Sequence, residues 1–99
     1  MPAYIIARAA VFDAEGMQKY REQVPAAAAK YGGRFLVRGP STVLEGDDDG
    51  RHTVVFEFPD MEKLKAFWNG AEYTELRDFR QNYSNVVAVA ADAYDPPVG

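Results

Sequence analysis

The stretch His52-Thr53-Val54-Val55-Phe56-Glu57-Phe58-Pro59-Asp60-Met61-Glu62-Lys63-Leu64-Lys65-Ala66-Phe67-Trp68 changes its hydrophobic period halfway along. Up to Phe58 the side chains alternate: Val54, Phe56 and Phe58 share one face, Thr53, Val55 and Glu57 the other, as in a strand. Pro59 stops that ladder and Asp60 is placed to cap a helix. From Met61 the period becomes helical, with Met61, Leu64, Phe67 and Trp68 on one stripe. Asn69-Gly70 ends this helix. A further helical stretch runs from Ala71 to about Gln81, with Tyr73, Leu76 and Phe79 or Arg80 on its inner side, and a final strand spans Asn85 to Ala93.

The same strand–helix alternation stands upstream. Ala3 to Phe12 is predicted as a strand with Ile5, Ala7, Ala9 and Val11 on one face and Tyr4, Ile6, Arg8 and Ala10 on the other. Asp13 is the expected cap of a helix over Ala14 to Tyr31, whose stripe is Met17, Tyr20, Val24, Ala27, Ala28 and Tyr31. Pro25 lies inside it and predicts a kink or a restarted turn. Gly32-Gly33 closes the helix. Arg34 to Gly39 is a second strand, with Phe35 and Val37 opposite Arg34, Leu36 and Arg38. Ser41 to Gly46 is expected as a short extension, and Asp47-Asp48-Asp49-Gly50 as the turn into the strand at His52. The order strand, helix, strand, strand, helix, strand is the split βαβ, ferredoxin-like α+β arrangement, with both helices on one sheet face.

Composition narrows function by exclusion. With 99 residues the chain makes one domain, predicted over residues 1–94, with 95–99 as a frayed tail. Fifteen acidic against 11 basic residues, a net charge of -4, argue against a nucleic-acid phosphate track. No cysteine and one histidine remove thiol chemistry and a zinc centre, so neither metal nor cofactor is expected. The longest apolar run, Val86 to Ala91, is far below the roughly 18 residues of a membrane helix, and no signal-peptide pattern opens the chain. A cytoplasmic location is the expectation.

Two helices cover one side of such a sheet and leave an opposite face of roughly 400 Å². That face would carry Tyr4, Ile6, Leu36, Val55 and one set from Val86 to Val89. So large an apolar surface calls for a cover, and the simplest is a second copy of the sheet, packed about a two-fold axis. A homodimer through the helix-free face is predicted.

Strand parity puts Arg8, Arg34, Arg38 and Glu57 on that helix-free face. Guanidinium groups in a low-dielectric space hold carboxylates or enolates by forked hydrogen bonds, so these residues are either an anion-holding cleft or an Arg–Glu network between subunits. Trp68, Tyr73 and Arg77 flank the Asn69-Gly70 break, where an interrupted helix can line a pocket for a planar ligand. His52 is the one histidine, the residue type suited to carrying protons at physiological pH, and so a candidate proton carrier, although its place at a strand start beside Arg51 equally suits a surface residue. Catalytic candidates are therefore His52 and Arg38; ligand-binding candidates are Arg8, Arg34, Arg38, Glu57, Trp68, Tyr73 and Arg77.

The ordered set Pro2-Ala3-Tyr4-Ile5-Ile6-Ala7, Tyr20 with Val24-Pro25-Ala26, Tyr31-Gly32-Gly33-Arg34-Phe35-Leu36-Val37-Arg38-Gly39, Val43-Leu44-Glu45-Gly46, Val54 to Asp60, Phe67-Trp68 and Glu72-Tyr73 resembles the bacterial family called domain of unknown function 1330. The resemblance implies a dimeric α+β barrel of ferredoxin-like subunits and supplies no reaction. Wider relatives of such barrels include cofactor-free mono-oxygenases, isomerases and haem-degrading enzymes, an analogy of fold. The expectation is a dimer binding a small aromatic or carboxylate-bearing molecule. One alternative is a cofactor-free mono-oxygenase or isomerase in which Arg34 or Arg38 holds an oxyanion and His52 or a Tyr moves a proton. The other is a structural or regulatory dimer without ligand.

Overall fold

The computed structural model describes residues 1–94. The predicted tail, 95–99, lies outside the described residues. The elements are β1 (Ala3–Val11), α1 (Gln18–Ala29), β2 (Arg34–Pro40), β3 (His52–Phe58), α2 (Met61–Asn69), α3 (Ala71–Arg80) and β4 (Ser84–Asp92). The strands pair antiparallel throughout, in the order β2-β3-β1-β4. This is the ferredoxin-like α+β fold. Among the described residues no helix is long and apolar enough to cross a membrane.

Registered rows of side chains cross all four strands, because directly paired residues in an antiparallel sheet point to the same side. On the helix-covered side one row is Phe35, Phe56, Ile5 and Ala90, and the next is Arg38, Val54, Ala7 and Ala88. On the other side run Arg34, Glu57, Tyr4 and Ala91, then Val37, Val55, Ile6 and Val89. The core lies between the first side and the helices. Phe58 and Phe67 are fully buried there, with ring centroids 5.2 Å apart, and Phe67 also meets Tyr73 at 4.5 Å. Asp60 caps α2 as expected, its carboxylate accepting from the Lys63 N–H at 2.8 Å. Gly70, in extended conformation, separates α2 from α3.

The first helix departs from its prediction at its start. Asp13 does not cap it; its carboxylate accepts from the Gly16 N–H at 3.0 Å in a local turn, and α1 begins only at Gln18. A short acceptor side chain competes with helix in this way. Nor does Pro25 interrupt α1, which runs through it to Ala29. Past the end of α1 the chain turns at Gly32, whose φ of +79° suits glycine, and the adjoining Gly33 lets the Phe58 ring lie where a Cβ would stand.

Ser41 to Gly46 forms no strand. Pairing ends where Pro40 faces His52, and the acidic segment turns by side-chain-to-backbone bonds, Asp48 accepting from Gly50 N–H and Asp49 from Arg51 N–H, both at 3.0 Å. The ladder of β2 is irregular between Phe35 and Val37, where Leu36 is the extra residue of a β-bulge.

Candidate functional site

That bulge corrects the reading of Arg38. Simple alternation from Arg34 sends Arg38 to the helix-free face; the extra residue shifts the phase, so Val37 faces Val55 and Arg38 faces Val54 on the helix-covered side. Arg38 thereby reaches α1. Its Nη2 donates to the Arg21 carbonyl at 3.3 Å, and its guanidinium lies 4.6 Å from the Phe35 ring centroid. The acceptor is available for a reason written in the sequence. Arg21 is four residues before Pro25, which has no N–H to return to that carbonyl. Burial first, then the Arg21 charge, lowers the Arg38 pKa. Both effects act against the isolated cation, and a bound anion relieves both.

Arg38 borders a cavity of about 320 Å³ between the sheet and the helices. On the sheet side, its floor, Ala7, Ala9 and Ala88 line it alongside the larger Ile5, Val54, Phe56 and Val86. Where the core row has Ile5 and Phe56, the following rows carry Ala7, Ala9 and Ala88, and the missing side-chain volume is the space itself. Met17, just before α1, and Tyr20 and Arg21 of α1 close it, with Trp68 from α2 and Tyr73 and Arg80 from α3. No aspartate or glutamate lines it among the described residues.

A hydroxyl network is built into its wall. The Tyr20 and Tyr73 hydroxyls are 3.0 Å apart, and Arg80 Nη2 donates to the Tyr73 hydroxyl at 3.4 Å. Burial, reinforced by Tyr73, raises the Tyr20 phenol well above its ordinary value, so it keeps its proton. Burial by itself would lower the Arg80 guanidinium, but the Tyr73 and Tyr20 hydroxyls raise it on balance.

The sequence candidates divide between two places. Arg38, Trp68 and Tyr73 line the cavity, and His52, exposed, stands at its border in the row below Arg38. Arg77 lies over the Trp68 ring at 5.2 Å and borders a neighbouring recess. Arg8, Arg34 and Glu57 are on the opposite face. Arg34 pairs with Glu57 at 2.9 Å, and Arg8 with Asp49 at 2.8 Å. The candidate set does not form one constellation. Sequence reasoning named Arg80 only as an alternative to Phe79 for the inner side of α3, and placed Tyr20 in the stripe of α1. The spacing Tyr73, Leu76, Arg80 was the available signal, and all three are buried.

A four-stranded antiparallel sheet with its helices on one face, and a cavity between the layers, defines a ferredoxin-like α+β protein. Residues 2–94 match the family model of DUF1330, a domain of unknown function, and the chain belongs to that family. Solved structures share the fold at low identity. One is a protein of unknown function from Rhodopseudomonas palustris, with TM-score 0.76, 16% identity, and coverage of 96% of this chain and 84% of that one. Another is SnoaB, a cofactor-independent oxygenase from Streptomyces nogalater, with TM-score 0.70, 14% identity and coverage of 96% and 95%. A third is a dimeric ferredoxin-like protein of unknown function from a Jannaschia species, with TM-score 0.70, 13% identity and coverage of 94% and 100%. No curated protein matches the chain.

Proposed function

We propose that this chain binds a small planar organic molecule, aromatic or carboxylate-bearing, in the helix-side cavity, as one half of a homodimer joined through the helix-free face. The observation that carries the binding reading is the cavity of about 320 Å³ with aromatic walls, alanines in its floor and arginines free of ion pairs among the described residues. Its size is that of a small-ligand pocket, and its few polar groups converge from three helices and two strands. The dimer reading is supported by the exposed row Val37, Ile6 and Val89, with Val87 beside it. The fold is shared with a protein described as dimeric.

A thermal-shift screen of the purified chain against aromatic carboxylates and quinols, repeated with Ala9→Leu, tests the pocket. The larger side chain occupies the floor. The free variant is expected to unfold at the wild-type temperature or above, and to lose the ligand-induced rise. A rise that survives in Ala9→Leu places the ligand elsewhere. A second reading, cofactor-free oxygenation or isomerisation of the bound molecule, draws on His52 at the border as the proton carrier, with the Tyr20 hydroxyl in the wall as a hydrogen-bond donor only. Oxygen uptake or product formation with a quinol separates turnover from binding.

A further inference from the structure

Arg80 stands on the last turn of α3, only 6% exposed, and lines the cavity. Its burial has no counter-charge: no carboxylate lies within ion-pair distance of it among the described residues. Nor does it cap its own helix. The carbonyls of the last turn are already taken, Arg77 by the Gln81 N–H, Asp78 and Phe79 by the Asn82 side chain, and Arg80 by the Tyr83 N–H and the Ser84 hydroxyl. Arg80 meets the Tyr73 hydroxyl at 3.4 Å, itself 3.0 Å from the Tyr20 hydroxyl, and its guanidinium lies 5.8 Å from the Tyr20 ring centroid.

A proton count shows what this cluster lacks. A guanidinium has five N–H donors and no acceptor, and each tyrosine contributes one O–H. One hydroxyl proton is spent between Tyr20 and Tyr73, whichever of them donates. The other has no carbonyl or carboxylate acceptor among the described residues, and neither do most of the Arg80 N–H groups. A cluster that opens on the cavity, rich in donors and short of acceptors, is complementary to a group that only accepts. Burial keeps the Tyr20 proton in place for that purpose.

We propose that Arg80 and the Tyr20–Tyr73 hydroxyl pair are the seat for an ionised oxygen of the ligand, a carboxylate, enolate or phenolate carried on a planar apolar body. This rests on the reading of the cavity as a ligand site and deepens it by fixing the charge of the ligand and the group that receives it. Arg38, held to the Arg21 carbonyl of α1, is then secondary.

Calorimetric titration of the full chain with naphthoate and with its neutral isostere naphthamide tests the seat. At neutral pH the wild type is expected to prefer the acid by about tenfold or more, as hydrogen bonds to a charged acceptor do. Arg80→Gln is expected to abolish the preference while leaving naphthamide affinity within about twofold. Arg80→Lys should restore part of it. Tyr73→Phe, which leaves the cation in place, should reduce it several-fold; this variant carries the test if Arg80→Gln fails to fold. Equal binding of acid and amide by the wild type overturns the seat and leaves the cavity reading standing. So does a preference that survives Arg80→Gln and disappears in Arg38→Gln. If neither probe binds the wild type, the cavity reading fails and the seat with it.

Discussion

On the helix-free face of the sheet Arg8 and Arg34 each meet a carboxylate, at 2.8 and 2.9 Å, while on the covered face Arg38 and Arg80 meet none among the described residues. The exposed pairs contribute little to stability, because solvent screens them. Their effect is to leave the outer face locally neutral around an apolar row of Val37, Val55, Ile6 and Val89. Such a surface suits a second protein surface. The inner face reverses the arrangement. Its arginines stand in a space that no acidic residue lines among the described residues, inside a protein of net charge -4. Net charge is therefore a poor guide to what this chain binds, because the acidic residues lie elsewhere.

The sharpest way to break this contrast is a charge in the apolar row. Val89→Glu alters a residue 56% exposed, so the fold of the single chain is unaffected. An unpaired charge buried at an interface costs about 3–5 kcal/mol. Sedimentation at micromolar concentration is expected to move from dimer to monomer, while naphthoate affinity at the inner face is unchanged. A wild type that sediments as a single chain removes the dimer proposal.

A smaller effect separates stability from positioning on the inner face. Pro25→Ala returns an N–H to the Arg21 carbonyl and displaces Arg38 from it. A proline inside a helix costs up to about 3 kcal/mol, so urea denaturation should show Pro25→Ala to be more stable, by about 1–2 kcal/mol. Naphthoate affinity should fall a few-fold. Unchanged stability would mean that the Arg38 bond replaces the lost backbone bond in full.

The smallest effects lie at the two ends of the pH scale, one for each face. Tyr20 has a folded pKa above its unfolded value of 10.0, so the stability it contributes is present below pH 10 and is lost as pH rises beyond it. Tyr20→Phe should flatten that alkaline loss, from a baseline lowered by about 1 kcal/mol for the missing hydroxyl bond. Asp49, beside Arg8 on the helix-free side, runs the other way. The Arg51 backbone N–H, then the Arg8 and Arg51 charges, hold its carboxyl below the usual 3.8, partly opposed by desolvation. Its contribution is present above pH 3.8 and is lost as pH falls below that value. Asp49→Asn should remove that part of the acid dependence and leave the alkaline limb alone. Thermal melts across the pH range check both.

The fold was legible because its signals are local and agree with one another. The switch of period at Pro59-Asp60, the Gly32-Gly33 stop and the Gly70 break each sit where the structure has them. The α1 start was misplaced because Asp13 satisfies a nearer turn, an outcome that depends on which backbone N–H it meets first. The candidate site was half legible. Trp68 and Tyr73 line the cavity because helical spacing survives into the tertiary structure. Arg38 was placed on the wrong face because one inserted residue inverts every side chain after it, and nothing local in Leu36-Val37 announces a bulge. Arg80 was passed over because its helical position admits Phe79 or Arg80 equally, and packing of Phe79 against Tyr83 and Lys19 settles the choice.

Sequence by itself determined the order of elements, the family resemblance and the existence of an apolar face in need of a cover, since these depend on neighbours along the chain. Only the tertiary structure decided where the charges go. The bulge turned Arg38 inward, Pro25 left it a carbonyl on another element, and alanines in the floor opened the space into which Arg80 faces. Each of these joins residues distant in sequence, and contacts of that kind have no period for a sequence to display.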